Sequence, residues 1–394
     1  MMFQIKDELY WVGIKDWGLK SFHGNHFLTP RGATYNSYLI KDEKIALVDA
    51  VFEPFADEFV EKLEREVGLE NIDYIVCNHS ETDHSGSLYR LMERIPDTPI
   101  YCTAKGVNII KAQHHKDWDF VTVKTGDTLN LGKNTLTFIE APMLHWPDTM
   151  MTYISGVNVL LSNDAFGQHY ATSEFFNDEV DQCALYDETL KYYANILTPF
   201  GRLIPPKIKQ LLDLNVPIDM IAPSHGLIWR DNPMQIVDQY LEWAKGYNDG
   251  SVLILFDTMW GNTEKMAQAI AEGVAKTGLS YKVVAADKLP HSDIVTEAFK
   301  AKGILMGSST INNTMLGEII SLINEFKGMR FTGKHAAAFG SYGWSGEAPK
   351  LADQMLKDAK FKVDFEPLKV LFTPNEEQLE QCRKFGYDFA MSIK

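Results

Sequence analysis

The segment His79-Ser-Glu-Thr-Asp-His84 places two imidazoles and two carboxylates within six consecutive residues. Imidazole and carboxylate together are the donors that suit iron, manganese and zinc. His145, Asp164 and His225 offer the same chemistry further along the chain. Taken alone, a His or Asp in a loop is ordinarily a turn or surface residue. These seven share one position, just past a short apolar run that reads as a buried strand. Residues 72–77 precede His79, 136–140 precede His145, 157–161 precede Asp164 and 220–222 precede His225. A sheet holds neighbouring strand ends side by side, so donors carried there can converge on one point. Helical stretches, such as 55–67 and 188–197, lie between the strands.

A different chemistry begins after residues 245–250, the polar, glycine-containing linker Lys-Gly-Tyr-Asn-Asp-Gly. The strand 252–256 leads into Thr258-Met-Trp-Gly-Asn-Thr263, and a helix follows over 263–276 with Met266, Ile270 and Val274 on its buried face. A polar loop opening a helix after a first strand binds phosphate, because backbone N–H groups and the helix dipole face the anion. The loop lacks the Walker spacing of nucleoside-triphosphate sites and the Gly-x-Gly-x-x-Gly of nicotinamide dinucleotide sites. Two further loops follow strands at 303–306 and 335–339. The first carries Ser308, Thr310, Ile311, Asn312 and Asn313; the second carries Ser341, Tyr342, Gly343, Trp344 and Gly346. Strand–helix alternation through this region predicts a doubly wound parallel sheet, which binds its ligand at such strand ends.

Composition bounds the whole. A chain of 394 residues with 45% hydrophobic content is long enough for two cores, expected at 1–248 and 249–394. A net charge of −15 argues against a nucleic-acid partner. Cys77, Cys102, Cys183 and Cys382 are scattered without a Cys-x-x-Cys pair, which argues against disulfides, a zinc ribbon or an iron–sulfur module in this sequence. No leader-like pattern or apolar run of membrane-spanning length is present, so a reducing cytoplasm is the expected location.

The spacing His-x-Glu-x-Asp-His, followed by separate His, Asp and His, resembles the metallo-β-lactamase superfamily. Most of its hydrolases have His where Glu81 stands. That carboxylate, with Ala-Pro-Met-Leu-His145-Trp, Asn-Asp164-Ala-Phe-Gly-Gln-His and Ala-Pro-Ser-His225-Gly, resembles the flavodiiron proteins nearly end to end. A carboxylate in place of imidazole favours ferric over ferrous iron, a difference without redox use to zinc.

The resemblance implies an N-terminal αββα sandwich of the metallo-β-lactamase type and a C-terminal flavodoxin-like domain. His79, Glu81 and His145 would hold one iron, Asp83, His84 and His225 the other, and Asp164 would bridge them. For His84 an alternative stands, in which Asp83 coordinates and the imidazole turns away. Thr258-x-x-Gly261-Asn262-Thr263 resembles the flavodoxin phosphate loop, with Met259 and Trp260 inside it, and the two later loops resemble those flanking a flavin ring. FMN is the implied flavin, since no second nucleotide-binding half exists for FAD. Families often have Pro where Ser309 stands. His23, His169 and Tyr193 resemble residues of the metal pocket. The implied activity is reduction of dioxygen to water, of nitric oxide to nitrous oxide, or both, with electrons arriving through FMN from rubredoxin or a similar carrier. A head-to-tail homodimer, or a dimer of such dimers, is implied as well. A dizinc hydrolase fused to a flavodoxin-like domain, and a non-catalytic carrier or gas sensor, are the competing readings; Glu81, the flavin loops and the complete ligand set count against them.

Overall fold

The computed structural model describes residues 2–394. Contacts divide the chain into two compact units, one containing residues up to 22 together with 29–245, the other containing 23–28 together with 246–394. The break at Lys245 falls at the polar linker. The short excursion over 23–28 departs from the linear division expected at 248, which assigns those residues to the first unit.

The first unit is built on two sheets. A seven-stranded sheet runs in the order Phe3–Lys6, Leu9–Trp11, Tyr38–Lys41, Ile45–Val48, Tyr74–Val76, Ile100–Cys102 and Phe120–Thr122. A five-stranded sheet runs from Thr128–Asn130 through Thr135–Glu140, Met150–Ile154 and Val159–Asn163 to Met220–Pro223. Alternate residues point to opposite faces of a strand, and this alternation makes the layers. Tyr38, Val48 and Val76 meet Phe138, Ile154 and Val159 in one buried cluster. Leu47, Ile75 and Ile100 belong to a second cluster with Phe59, Val60 and Leu63 of the helix Ala56–Val67. That helix stops at Gly68, whose φ of 73° suits a residue without Cβ. The result is the αββα sandwich.

The second unit is a five-stranded parallel sheet in the order Tyr281–Ala285, Val252–Asp257, Gly303–Ser308, His335–Tyr342, Leu368–Leu371. Its central strands are buried along almost their whole length, as expected for a parallel sheet covered on both faces. Helices Asn262–Ala275 and Glu376–Ile393 pack closely: a Cβ on Gly273 would lie 1.9 Å from the Arg383 carbonyl oxygen, and one on Gly386 would lie 2.2 Å from that of Ile270. The strand order reverses between Val252–Asp257 and Gly303–Ser308, the place where such sheets open a crevice at their carboxyl ends. Among the described residues no helix is long and apolar enough to cross a membrane.

Candidate metal centre and flavin cleft

The strands of the first unit deliver their donors to one place. Asn163 pairs with Pro223 across parallel strands, so Asp164 and His225 emerge side by side from the five-stranded sheet. His79 and Glu81 lie in the loop after Tyr74–Val76, and Asp83 and His84 follow on the single helical turn Thr82–Ser85. His145 comes from the loop between Thr135–Glu140 and Met150–Ile154.

The donors form two groups, His79, Glu81, His145 and Asp164 in one and Asp83, His84 and His225 in the other. In the first, His79 Nε2 lies 3.4 Å from Glu81 Oε2 and 3.5 Å from Asp164 Oδ2, and His145 Nε2 lies 3.1 and 3.3 Å from the same atoms. In the second, His84 Nε2 lies 3.2 Å from Asp83 Oδ2 and 3.0 Å from Asp164 Oδ1, and His225 Nε2 lies 3.0 and 3.5 Å from those atoms. Asp164 thus turns one oxygen to each group. Metal–ligand bonds of about 2.0–2.2 Å place adjacent donors roughly 3.0 Å apart in octahedral and about 3.4 Å apart in tetrahedral coordination. The observed spacing is that of ligands around a shared ion. Asp83 Oδ1, His84 Nε2 and Asp164 Oδ2 are buried without a well-formed hydrogen bond, a costly state for polar atoms unless an ion satisfies them.

The charge balance points the same way. Burial disfavours imidazolium, yet Asp83 and Asp164 outweigh it and push His84 up to about 9. Asp164 and Glu81 likewise overcome burial at His145 and push it up to about 9. Burial raises Asp164, but the surrounding histidines hold it well below the usual carboxylate range. A pocket that holds protons this firmly holds a divalent or trivalent cation in their place.

The histidines are fixed from behind. His79 Nδ1 donates to Asp148 Oδ2 at 3.2 Å, and that oxygen also accepts from the Ser80 N–H and hydroxyl. His225 Nδ1 donates to the Thr34 carbonyl at 2.6 Å. The Ser224 hydroxyl donates to Asp164 Oδ1 at 3.1 Å. Such partners set the tautomer and aim of each ligand.

In the second unit a cleft of about 320 Å³ opens at the strand-order reversal. Met259, Trp260 and Asn262 wall it from the phosphate loop, Thr310, Ile311, Asn312 and Asn313 from the second loop, and Ser341, Tyr342, Gly343 and Trp344 from the third. Trp260 and Trp344 are 86% and 93% exposed, two broad aromatic faces beside a flat opening. Gly261 takes the left-handed backbone, φ 76°, and the helix it begins has no side-chain cap. The Thr258 hydroxyl oxygen is buried without a partner at that loop. Uncapped N–H groups and an orphaned hydroxyl fit a phosphate.

Residues 254–386 match the flavodoxin family and residues 33–226 the ODP family beta lactamase. The chain is 50% identical over 394 residues to an anaerobic nitric oxide reductase flavorubredoxin of Escherichia coli, covering 99% of this chain and 82% of that protein. Its fold is similar to rubredoxin oxygen:oxidoreductase from Desulfovibrio gigas, with a TM-score of 0.97 and 36% identity over 100% of this chain and 98% of that one. The flavodiiron protein of Giardia intestinalis matches with a TM-score of 0.94 and 32% identity, covering 100% and 97%. The chain belongs to the flavodiiron proteins. It is an oxidoreductase whose cofactors are FMN and a diiron centre.

Within this flavodiiron protein the seven metal-binding candidates come together, and His84 turns inward with Asp83. His169 stands beside them, its ring 5.1 Å from that of His225. Tyr193 departs from expectation. The tyrosine facing the cluster is Tyr192, whose ring lies 5.1 Å from His169 and 6.2 Å from His225, whereas Tyr193 packs on Tyr240 and Trp243. Both residues keep right-handed helical backbone, and at 3.6 residues per turn consecutive side chains project about 100° apart, so the two rings meet different surroundings. His23 is exposed and is not one of the seven donors.

In the flavin region, Thr263 and Ser308 do not line the cleft. The Thr263 hydroxyl lies 3.0 Å from that of Ser309 and 2.9 Å from that of Ser341. Ser308 donates to the Ser309 carbonyl and accepts from the Leu316 N–H. Thr258, Gly261 and Gly346 shape the loops without lining the cleft. Sequence reasoning missed Ser309, Ser345 and Phe372, which do line it. It also missed Asp148 and Asp49. Asp49 accepts from the Asn78 N–H at 2.7 Å, just before His79. For Asp148 a signal existed, since it is an acid three residues past His145 in the same loop.

Proposed function

We propose that this flavodiiron protein reduces nitric oxide to nitrous oxide, dioxygen to water, or both, with electrons supplied by a rubredoxin-like carrier. Asp164, turning one oxygen to each donor group, carries the reading, because it makes the two groups one centre. When bound, FMN supplies one-electron exchange with an electron-pair reservoir, and the irons supply redox storage with open coordination positions for a diatomic molecule. The protein's residues do the rest. His79, Glu81 and His145 would hold one iron, and Asp83, His84 and His225 the other. Asp148 and the Thr34 carbonyl hold the backs of His79 and His225 so that both Nε2 atoms stay aimed inward. His169 and Tyr192 wall the second group with rings. Thr258, Gly261 and Asn262 would seat the phosphate, and Trp260, Tyr342 and Trp344 the ring.

The relative at 50% identity is a nitric oxide reductase and the structural neighbour at 36% an oxygen reductase, which puts nitric oxide first. A head-to-tail homodimer and a cytoplasmic location complete the reading; all four cysteines are free thiols. Sedimentation giving only monomer at micromolar concentration would remove the dimer. Anaerobic stopped-flow of the reduced protein against each gas tests the activity: consumption of at least one gas with flavin reoxidation is expected. Two zincs per chain and inertness to both gases would overturn it.

A further inference from the structure

A second space touches the ligand-bearing segments of the first unit. It lies where the helix Ile204–Leu212 covers the five-stranded sheet, and it is small, about 10 Å³, close to the least that admits one water-sized molecule. Ile208 and Leu211 wall it from the helix and Met151 from the sheet. The remaining wall includes Leu144, Ala165 and Phe166. Leu144 immediately precedes His145, and Ala165 immediately follows Asp164.

Its lining is almost wholly apolar, and the two polar side chains on it are already engaged. Lys207 donates to the Glu140 carbonyl and to Gln210 Oε1, both at 2.6 Å. The Tyr240 hydroxyl oxygen accepts from the Phe166 N–H at 2.8 Å. A buried water needs two to four polar partners, so this space does not favour water. A neutral diatomic gas needs none and gains dispersion contacts on every side. We propose that the cavity is a staging site for the diatomic substrate, one residue along the chain from two ligands of the first iron group. The inference rests on the reading of the protein as a gas reductase.

Crystals of the holoprotein pressurised with krypton test occupancy directly. An anomalous peak among Met151, Phe166 and Ile208 is expected, and an empty cavity would overturn the proposal. Ile208→Phe fills the space from the helix side without touching a ligand. It should lower the second-order rate constant for reoxidation of the reduced protein by gas several-fold. Iron content, FMN content and the rate of flavin reduction by dithionite should stay as in the wild type. Leu211→Phe is the second variant, read in its place if Ile208→Phe loses iron. Unchanged gas rates in an iron-replete variant would refute staging. Wild-type protein that consumes neither gas would remove the proposed function and this inference together. Normal consumption with an empty cavity would remove this inference only.

Discussion

Asp148→Asn removes a charge from behind His79 while keeping the shape of the side chain. Asp148 is 2% exposed, so solvent cannot replace what is lost. Its Oδ2 accepts three hydrogen bonds, from His79 Nδ1 at 3.2 Å, the Ser80 N–H at 2.7 Å and the Ser80 hydroxyl at 2.6 Å. The first keeps the proton on Nδ1, which leaves Nε2 free to face Glu81 and Asp164. Loss of such a partner typically weakens metal binding roughly 10- to 100-fold, or about 1.4–2.8 kcal/mol at about 1.4 kcal/mol per decade. The loss should fall on the ion of the His79 group, since no Asp148 contact reaches His84 or His225. Chelator competition on the purified protein, with iron and FMN counted per chain, reads this directly. One iron should leave at a lower chelator concentration than the other, with FMN retained. Iron affinity equal to that of the wild type, or iron and FMN lost together, would refute the assignment of Asp148 as the group that positions His79.

Asp164→Ala removes both carboxylate oxygens, one from each donor group; iron content and gas reduction should both collapse while the flavin absorbance persists. Gly261→Ala meets no close neighbour, the nearest being Glu264 Oε2 at 3.9 Å, so its cost is the left-handed backbone alone. At roughly 1–2 kcal/mol for a residue with Cβ, FMN affinity measured by flavin fluorescence should fall about 5- to 30-fold with iron unchanged. His291 sits between Glu318 and Glu325, at 2.9 Å from each. Burial lowers its affinity for the proton, but the two glutamates outweigh that and raise it. A raised folded value stabilises the fold fully below the unfolded value of about 6.5 and loses that contribution as pH rises through the folded one. The thermal midpoint of His291→Gln should therefore lag the wild type at about pH 5 and converge with it in alkali, by a small margin because the group is partly exposed. A gap that widens with pH would contradict this.

The metal ligands were legible because each stands just past an apolar run, and parallel strands carry such positions to one edge. The same logic located the phosphate loop at Thr258 and the two later loops. Neighbouring identical residues defeated it. Tyr192 and Tyr193 are consecutive on one helical run and differ in which way the helix points them, and the sequence does not mark which face meets the cluster. His23 was read with the first unit, because nothing in the sequence signals that 23–28 leaves it. Phe372 lines the flavin cleft from just past the last strand, over a hundred residues beyond the phosphate loop, a closeness only the strand order creates. Thr263 carries the hydroxyl expected of a phosphate contact, but its short side chain turns into a cluster with Ser309 and Ser341.

Anomalous diffraction from crystals of the purified protein, collected on both sides of the iron absorption edge, tests the diiron assignment most directly. Two iron peaks should appear in the first unit, one among His79, Glu81 and His145 and one among Asp83, His84 and His225, with Asp164 touching both. A signal at the zinc edge instead, or a single ion with Asp164 turned away from it, would contradict the assignment.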